Sequence, residues 1–429
     1  MRLPRVPRLP LVPDPLRRAR IPSDVESVIS RAAEVDPRSV GMTVDKIEHI
    51  WNGVVDLYRG GAHRAIQVCV RRRGQVVLDR SIGHAHGNGP RDKPDDEKVL
   101  ATTETPFLAY SASKAVTASV VHLLDQRGQI HIGDRVAEYI PEFAKNGKEF
   151  ITIGQVLAHR AGMPIHPPEL MTLDALHDRE RILQALCDAK PISRAGKLQA
   201  YHALSGGSIL GEIVHRVTDK NIRDYLGSEI LSPLGFRWTN YGVSLDDVGK
   251  VATNYVTGPP ALPPVSTMVN RLLGVSTSQA VEMSNDPRFL TSILPAGSVV
   301  TTANELSRFF ELLRAGGELD GVRIFEPRTI RRAISEQSFL EVDFTLAFPV
   351  RYSYGFMLGG KHFSLFGPDT MSTFGHLGYT NILGWADPDR ELSVGLITSG
   401  KPVIYPEVFS WLGVPARIGA SAPKTGSPR

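Results

Sequence analysis

Strand patterns lie toward the two ends of this chain and helix patterns fill its middle, which limits how a sheet can close. Residues 43–59 carry Ile47, Ile50, Trp51, Val54 and Tyr58 on one helical face. Two strands are expected next, Ala65–Arg71 and Gln75–Ile82, joined by a short Arg-Arg-Gly turn. At the far end Tyr354–Gly359, Asn381–Ala386 and Leu392–Thr398 read as strands, the last two linked by the turn Asp387-Pro388-Asp389-Arg390. Residues 83–104 are Gly/Pro-rich and charged, as in a surface loop. From Ser111 to about residue 230 the pattern is mainly helical, and Asn304–Gly316 is helical again, with Leu306, Phe309, Phe310 and Leu313 as its stripe. The stretch 256–295 is proline-rich without a clean period, as in a loop-rich cover over a pocket. The expected class is α+β: an antiparallel sheet built from N- and C-terminal strands, flanked by helices, plus a mainly helical lobe. A catalytic site would sit in the crevice between lobes.

Composition narrows the function. With 429 residues, 42% hydrophobic and 22% charged, the chain reads as soluble and globular. No apolar run approaches the roughly 20 residues of a membrane helix. Net charge is only +4 and the basic residues outside the N-terminus are largely balanced, so nucleic acid is not an expected partner. Residues 1–40 begin with Arg2, Arg5, Arg8, Arg17, Arg18 and Arg20 among prolines, and read as a flexible basic arm. A weak contact of that arm with an anionic membrane surface is the minor alternative to solvation. The arm lacks the continuous apolar stretch of a secretory signal, so a cytoplasmic location is expected. Residues 41–415 form the expected globular domain and 416–429 a disordered tail. Cys69 and Cys187 fall in a strand and a helix pattern and read as buried thiols. His84 and His86 lie in the predicted loop with no third ligand in register, so no metal or cofactor is expected.

Ser111-Ala112-Ser113-Lys114 opens an amphipathic helix whose apolar positions are Val116, Val120, Leu123 and Leu124, ended by Gly128. Residues three apart are neighbours on a helix surface, which sets the Lys114 amine beside the Ser111 hydroxyl. An adjacent amine can activate a serine nucleophile, and helix-start N–H groups favour developing negative charge. An N-cap with a surface lysine fits the same four residues. Ser-x-x-Lys recurs at Ser421–Lys424, followed by Thr425-Gly426, in a stretch too short to continue as a strand. That second copy reads as coincidence.

Further segments decide between these readings. Leu157-Ala158-His159-Arg160-Ala161-Gly162-Met163-Pro164, Tyr201-His202-Ala203-Leu204, Asn285-Asp286-Pro287, Pro295-Ala296-Gly297 and Phe374-Gly375-His376-Leu377-Gly378-Tyr379 follow Ser111–Lys114 in one order. Together they resemble the motif series of the serine β-lactamase-like superfamily, the penicillin-binding-protein fold, over roughly residues 45–400. Within it the chain looks most like the family VIII carboxylesterases. Ala203 stands where β-lactamases usually carry an asparagine, and His376-Leu377-Gly378 replaces their Lys-Thr-Gly. No Gly-x-Ser-x-Gly occurs, which disfavours the α/β-hydrolase route.

The resemblance implies a Ser111 acyl-enzyme, with Lys114 or Tyr201 as base and Tyr201 returning a proton to the leaving group. It implies an oxyanion hole from the backbone N–H groups of Ser111 and Tyr379, and a substrate-binding edge at His376, Leu377 and Gly378. His159 and Gly162 read as shaping a loop, and Trp385 and Trp411 as core or pocket lining. The expected function is a carboxylesterase or lipase-like hydrolase of short- to medium-chain acyl esters, with a small-molecule ester as partner. The alternatives are a β-lactamase, D-amino-acid peptidase or acyltransferase of the same fold, or a non-catalytic scaffold.

Overall fold

The protein is described by a computed structural model at residues 14–90, 92, 93, 95–403 and 407–425. Its main sheet strands are β1 (Ile29–Arg31), β2 (Ala65–Arg72), β3 (Gln75–His86), β4 (Ser338–Val342), β5 (Pro349–Tyr352), β6 (Met357–Leu358), β7 (Phe374–Gly378), β8 (Ile382–Asp387) and β9 (Leu392–Thr398). They lie in the order β1-β3-β2-β9-β8-β7-β6-β5-β4, antiparallel throughout, and a short strand at Val99–Leu100 pairs with β3. The closure is the β9–β2 ladder, which runs from Leu392 opposite Arg72 to Thr398 opposite Ile66.

Both faces of the sheet are covered, so residues on both sides of its inner strands are buried, including Gln67 and Ser393, which hydrogen-bond the helix Ala303–Arg314. On one face Ile66, Val68, Val70, Val394 and Leu396 pack with α1 (Val44–Arg59) and, from the C-terminus, the helix Val408–Ser421. Thr43 caps α1 by accepting the Lys46 N–H, and Ile50, Trp51, Val54 and Tyr58 are its buried stripe. On the other face lie α2 (Ser113–Gln126), α3 (Ser205–Thr218) of the helical lobe, and, after α4 (Val265–Leu273), α5 (Ala303–Arg314). Phe309 and Phe310 of α5 are fully buried. Gly384 permits the approach, because a Cβ there would stand 2.4 Å from Phe310 Cε2.

Several expectations change. Residues 14–40 are not a free arm: β1 pairs with β3, Val25 and Val28 are buried, and the Gly258 N–H donates to Leu16 O at 2.9 Å. Isolated valines between charges give no periodic signal, yet the edge of β3 supplies partners. Residues 1–13 of the predicted arm lie outside the described residues. The tail also begins later than expected. The C-terminal helix runs to Ser421 with Trp411, Val414 and Ile418 buried, and Lys424 pairs with Asp369 at 2.9 Å. Residues 426–429 lie outside the description.

β3 extends through His84 and His86, and His86 Nδ1 lies 2.8 Å from Thr253 Oγ1. The predicted strand Tyr354–Gly359 shrinks to Met357–Leu358. The 256–295 cover holds α4 and a helix at Thr277–Met283, entered by the capping box Ser276…Gln279. α2 is not amphipathic. Ser113 through Asp125 are all buried, because both the sheet and the helical lobe press on it. Cys69 and Cys187 are buried and unbridged, and no helix among the described residues is long and apolar enough to cross a membrane.

Removing residues 1–31 should lower the unfolding free energy by about 3 kcal/mol or more, the loss expected for two buried valines. Urea denaturation measures this, and an unchanged midpoint would show that β1 contributes nothing to the sheet.

Candidate functional site

The strand Phe107–Leu108 pairs with Val299–Thr301 in a small separate sheet, and the Ala109 N–H donates to Val299 O at 2.8 Å. This anchors the chain just before a single 3-10 turn, Tyr110–Ala112, that carries Ser111 at the head of α2. Tyr110 has φ +48°, an unusual conformation for a bulky residue, held by its hydroxyl 2.7 Å from Ser284 Oγ. One turn on, Lys114 Nζ lies 3.1 Å from Ser111 Oγ. The same amine donates to the carbonyl oxygens of Ala203 at 2.7 Å and Ala296 at 3.0 Å. Little space is left around it: a cavity of about 20 Å³, lined by Thr117, His159, His202 and Gly207, offers room for at most one water. Burial lowers the Lys114 pKa to about 7, since desolvation disfavours the ammonium form. The ammonium form donates to all three oxygens, whereas the free amine has two N–H bonds for the two carbonyls and a lone pair for Ser111.

Tyr201 reaches the same place from an irregular segment before α3. Its hydroxyl faces the Ser111 side chain, closely enough to hold its pKa down somewhat, and Lys114 Nζ lies 4.8 Å from its ring centroid. Burial raises its pKa, the Asp343 charge adds to the rise, and Ser111 partly offsets both. Tyr201 is therefore a neutral phenol at neutral pH.

His159, in the left-handed region at φ +58°, fastens this segment. Its carbonyl accepts the Ala200 N–H at 3.0 Å and its Nδ1 accepts the His202 N–H at 3.1 Å. Gly162 has φ +74°, so the two residues shape the loop.

The fourth wall is the end of β7. His376 is buried, its Nδ1 lies 2.8 Å from Leu377 O, and its ring centroid is 6.2 Å from that of Tyr201. Burial, with the nearby Lys114 charge, pushes the His376 pKa down to about 3. The imidazole is neutral and supplies no cation. Gly378 lets β7 run against the segment before Ser111, because a Cβ there would stand 2.3 Å from Ala109 O. Just beyond it the Tyr379 ring lies 5.6 Å from that of Tyr110.

Ser111, Lys114, Tyr201 and the His376–Tyr379 segment thus converge, while Ser421 and Lys424 do not: Ser421 Oγ donates to Lys46 O at 3.4 Å and Lys424 pairs with Asp369. Trp385 and Trp411 belong to the core behind the sheet. Sequence reasoning missed Asp343, whose carboxylate accepts the Tyr201 N–H at 3.1 Å, and the carbonyl of Ala296. A main-chain oxygen leaves no residue-type signal. A lone Asp between two strands has only its local turn to mark it.

A family model, Beta-lactamase, matches residues 51–407. Esterase/beta-lactamase LipL of Mycobacterium tuberculosis (strain ATCC 25618 / H37Rv) is 28% identical over 354 residues, which span 80% of this chain and 79% of that protein. The crystal structure of a penicillin-binding protein homolog from Caulobacter crescentus superposes with a TM-score of 0.75 at 23% identity, over 89% of this chain and 99% of that one. A family VIII carboxylesterase structure superposes with a TM-score of 0.73 at 24% identity, over 88% and 98%. Both have the fold described above.

A Lys114 pKa of about 7 in the folded state, against 10.5 for an ordinary lysine, has a thermodynamic signature. Between those values the unfolded chain binds more protons, so stability rises with pH. Wild type should therefore gain stability relative to Lys114→Met as pH is raised from about 7 to about 10. A constant difference in urea unfolding free energy would show that the amine titrates normally.

Proposed function

The chain belongs to the Beta-lactamase family, and from that premise we propose that it is a carboxylesterase that cleaves short- to medium-chain acyl esters through an acyl-enzyme on Ser111. The observation that carries this reading is the Lys114 amine, dry, held by two carbonyls and 3.1 Å from the Ser111 hydroxyl. Ser111 Oγ attacks the ester carbonyl carbon as its proton passes to Lys114. The negative charge formed on the carbonyl oxygen is met by the N–H groups of Ser111 and Tyr379. Collapse breaks the bond to the alcohol oxygen, which takes a proton from Tyr201, and Tyr201 recovers one from the Lys114 ammonium. Water then enters, loses a proton to the same pair, and releases the carboxylic acid and Ser111.

The relative named an esterase/β-lactamase is compatible with both acyl donors. Two features favour esters. Ala203 offers no side-chain amide to a substrate's acylamino group, and a neutral His376 offers no cation to a substrate carboxylate. The His376-Leu377-Gly378 edge would then bound an ester's alcohol or acyl portion by shape. The other acyl-serine activities of the fold remain as second readings, tested alongside.

Purified wild type should hydrolyse p-nitrophenyl butyrate, and Ser111→Ala should abolish that turnover; no wild-type turnover would sink the esterase reading. Lys114→Ala should cost about 10³-fold in kcat/KM, within the usual range for a general base. Because the working form of Lys114 is the neutral amine, kcat/KM should rise with pH through about 7. A flat profile across that pH would place the base elsewhere. Gly378→Val should push β7 away from Ala109 and cost roughly 2.7–4 kcal/mol of transition-state stabilisation, the value of one oxyanion donor. Unaltered kcat in that variant would remove Tyr379 from the oxyanion hole.

A further inference from the structure

Tyr201 lies in a segment with no regular secondary structure, between Ala200 and the first residue of α3, Ser205. A reacting phenol must be held to within a fraction of an ångström, so the fixing of this segment needs a physical cause. Two of its main-chain N–H groups, those of Ala200 and His202, are taken by His159. The third, that of Tyr201 itself, goes to Asp343 Oδ1 at 3.1 Å, across 142 positions of sequence.

Asp343 is the first residue after β4, and it is fully buried. The same oxygen accepts the Thr345 and Leu346 N–H groups, each at 2.9 Å. Those two bonds close a turn in the loop that joins β4 to β5. The Phe344 N–H then donates to Gln199 O at 2.9 Å, so the turn grips the Tyr201 segment at two points. A turn of this kind forms readily at a surface, where an aspartate keeps its hydration. Burying the carboxylate instead costs several kcal/mol unless fixed dipoles replace the water. Here one replacement is the Tyr201 N–H. The Tyr201 ring is meanwhile held by the His159 ring, 4.7 Å between centroids, which also faces Tyr352 of β5 at 5.0 Å.

We propose that Asp343 is a positioning residue for Tyr201: its carboxylate ties the Tyr201 main chain to the β4–β5 hairpin and thereby aims the phenol at the leaving-group oxygen. This rests on the reading of Tyr201 as the proton donor to that oxygen. It makes the edge hairpin of the sheet, which contributes none of the reacting groups, part of the catalytic geometry. The negative charge beside Tyr201 also favours the phenol over the phenolate, as a donor requires.

The test compares two butyrate esters with different leaving groups. p-Nitrophenolate departs without a proton, whereas ethoxide must be protonated as the bond breaks. Values of kcat/KM are measured for both esters in wild type, Tyr201→Phe, Asp343→Ala and Asp343→Asn. Tyr201→Phe should lower ethyl butyrate hydrolysis far more than p-nitrophenyl butyrate hydrolysis. Asp343→Ala should do the same in weaker form, with about tenfold or greater selective loss on the ethyl ester, as a displaced catalytic group gives. Asp343→Asn should recover most of that loss, because its amide oxygen can accept the same N–H groups.

Equal losses on the two esters in Asp343→Ala, or no loss, would overturn the proposal while leaving Tyr201 in place. No discrimination by Tyr201→Phe itself would remove the premise, and the proposal would fall with it. Should Asp343→Ala not fold, Asp343→Ser replaces it, since its shorter side chain keeps a hydroxyl in the turn without spanning to Tyr201. The same ratio decides.

Discussion

The site depends on one dry amine. A lysine with a lowered pKa near the middle of a protein is unfavourable unless its N–H bonds are satisfied without a carboxylate, which would hold it as the ammonium. Here two peptide carbonyls, at Ala203 and Ala296, supply that environment. They come from segments far apart in sequence, and Gly207 of α3 lets them approach: a Cβ there would stand 2.6 Å from Ala296 N. Ala203 and Ala296 hold the amine in place 3.1 Å from the Ser111 hydroxyl.

The sheet serves this arrangement by closing. β9 pairs with β2, joining the two ends of the chain, and β7 is carried against the Ser111 turn two strands away. α2 is pinned between that sheet and the helical lobe, so the Ser111 turn has little freedom. The left-handed Tyr110 is then a local strain paid back by its surroundings, the bond to Ser284 and the ring contact with Tyr379. His376 adds a neutral wall, where a cation would have favoured anionic substrates.

Much of the chemistry was legible because it is written in residue types at helical spacing. Ser111 and Lys114 are three apart, and the later motifs follow in one order, so Ser111, Lys114 and Tyr201, which the fold brings together, were all singled out from sequence. The Ala303–Arg314 helix and the inner strands were legible through their periods. The 256–295 helices were not, because prolines mask short amphipathic runs, although Ser276 and Gln279 mark a helix start. The N-terminal segment was misread because Val25 and Val28 form too short an apolar run to show a period, and only the packed sheet makes them core.

The sequence by itself determined the candidate reactive side chains, the class of fold that brings them together, and the absence of an asparagine at position 203 and of a lysine at position 376. The tertiary structure alone decided their states. Burial lowers the Lys114 pKa to about 7, enclosure keeps His376 neutral, and the main chain of Tyr201 is tied to an aspartate 142 positions away. Hydration, main-chain acceptors and long-range hydrogen bonds belong to the packed chain, and residue spacing along a sequence carries none of them.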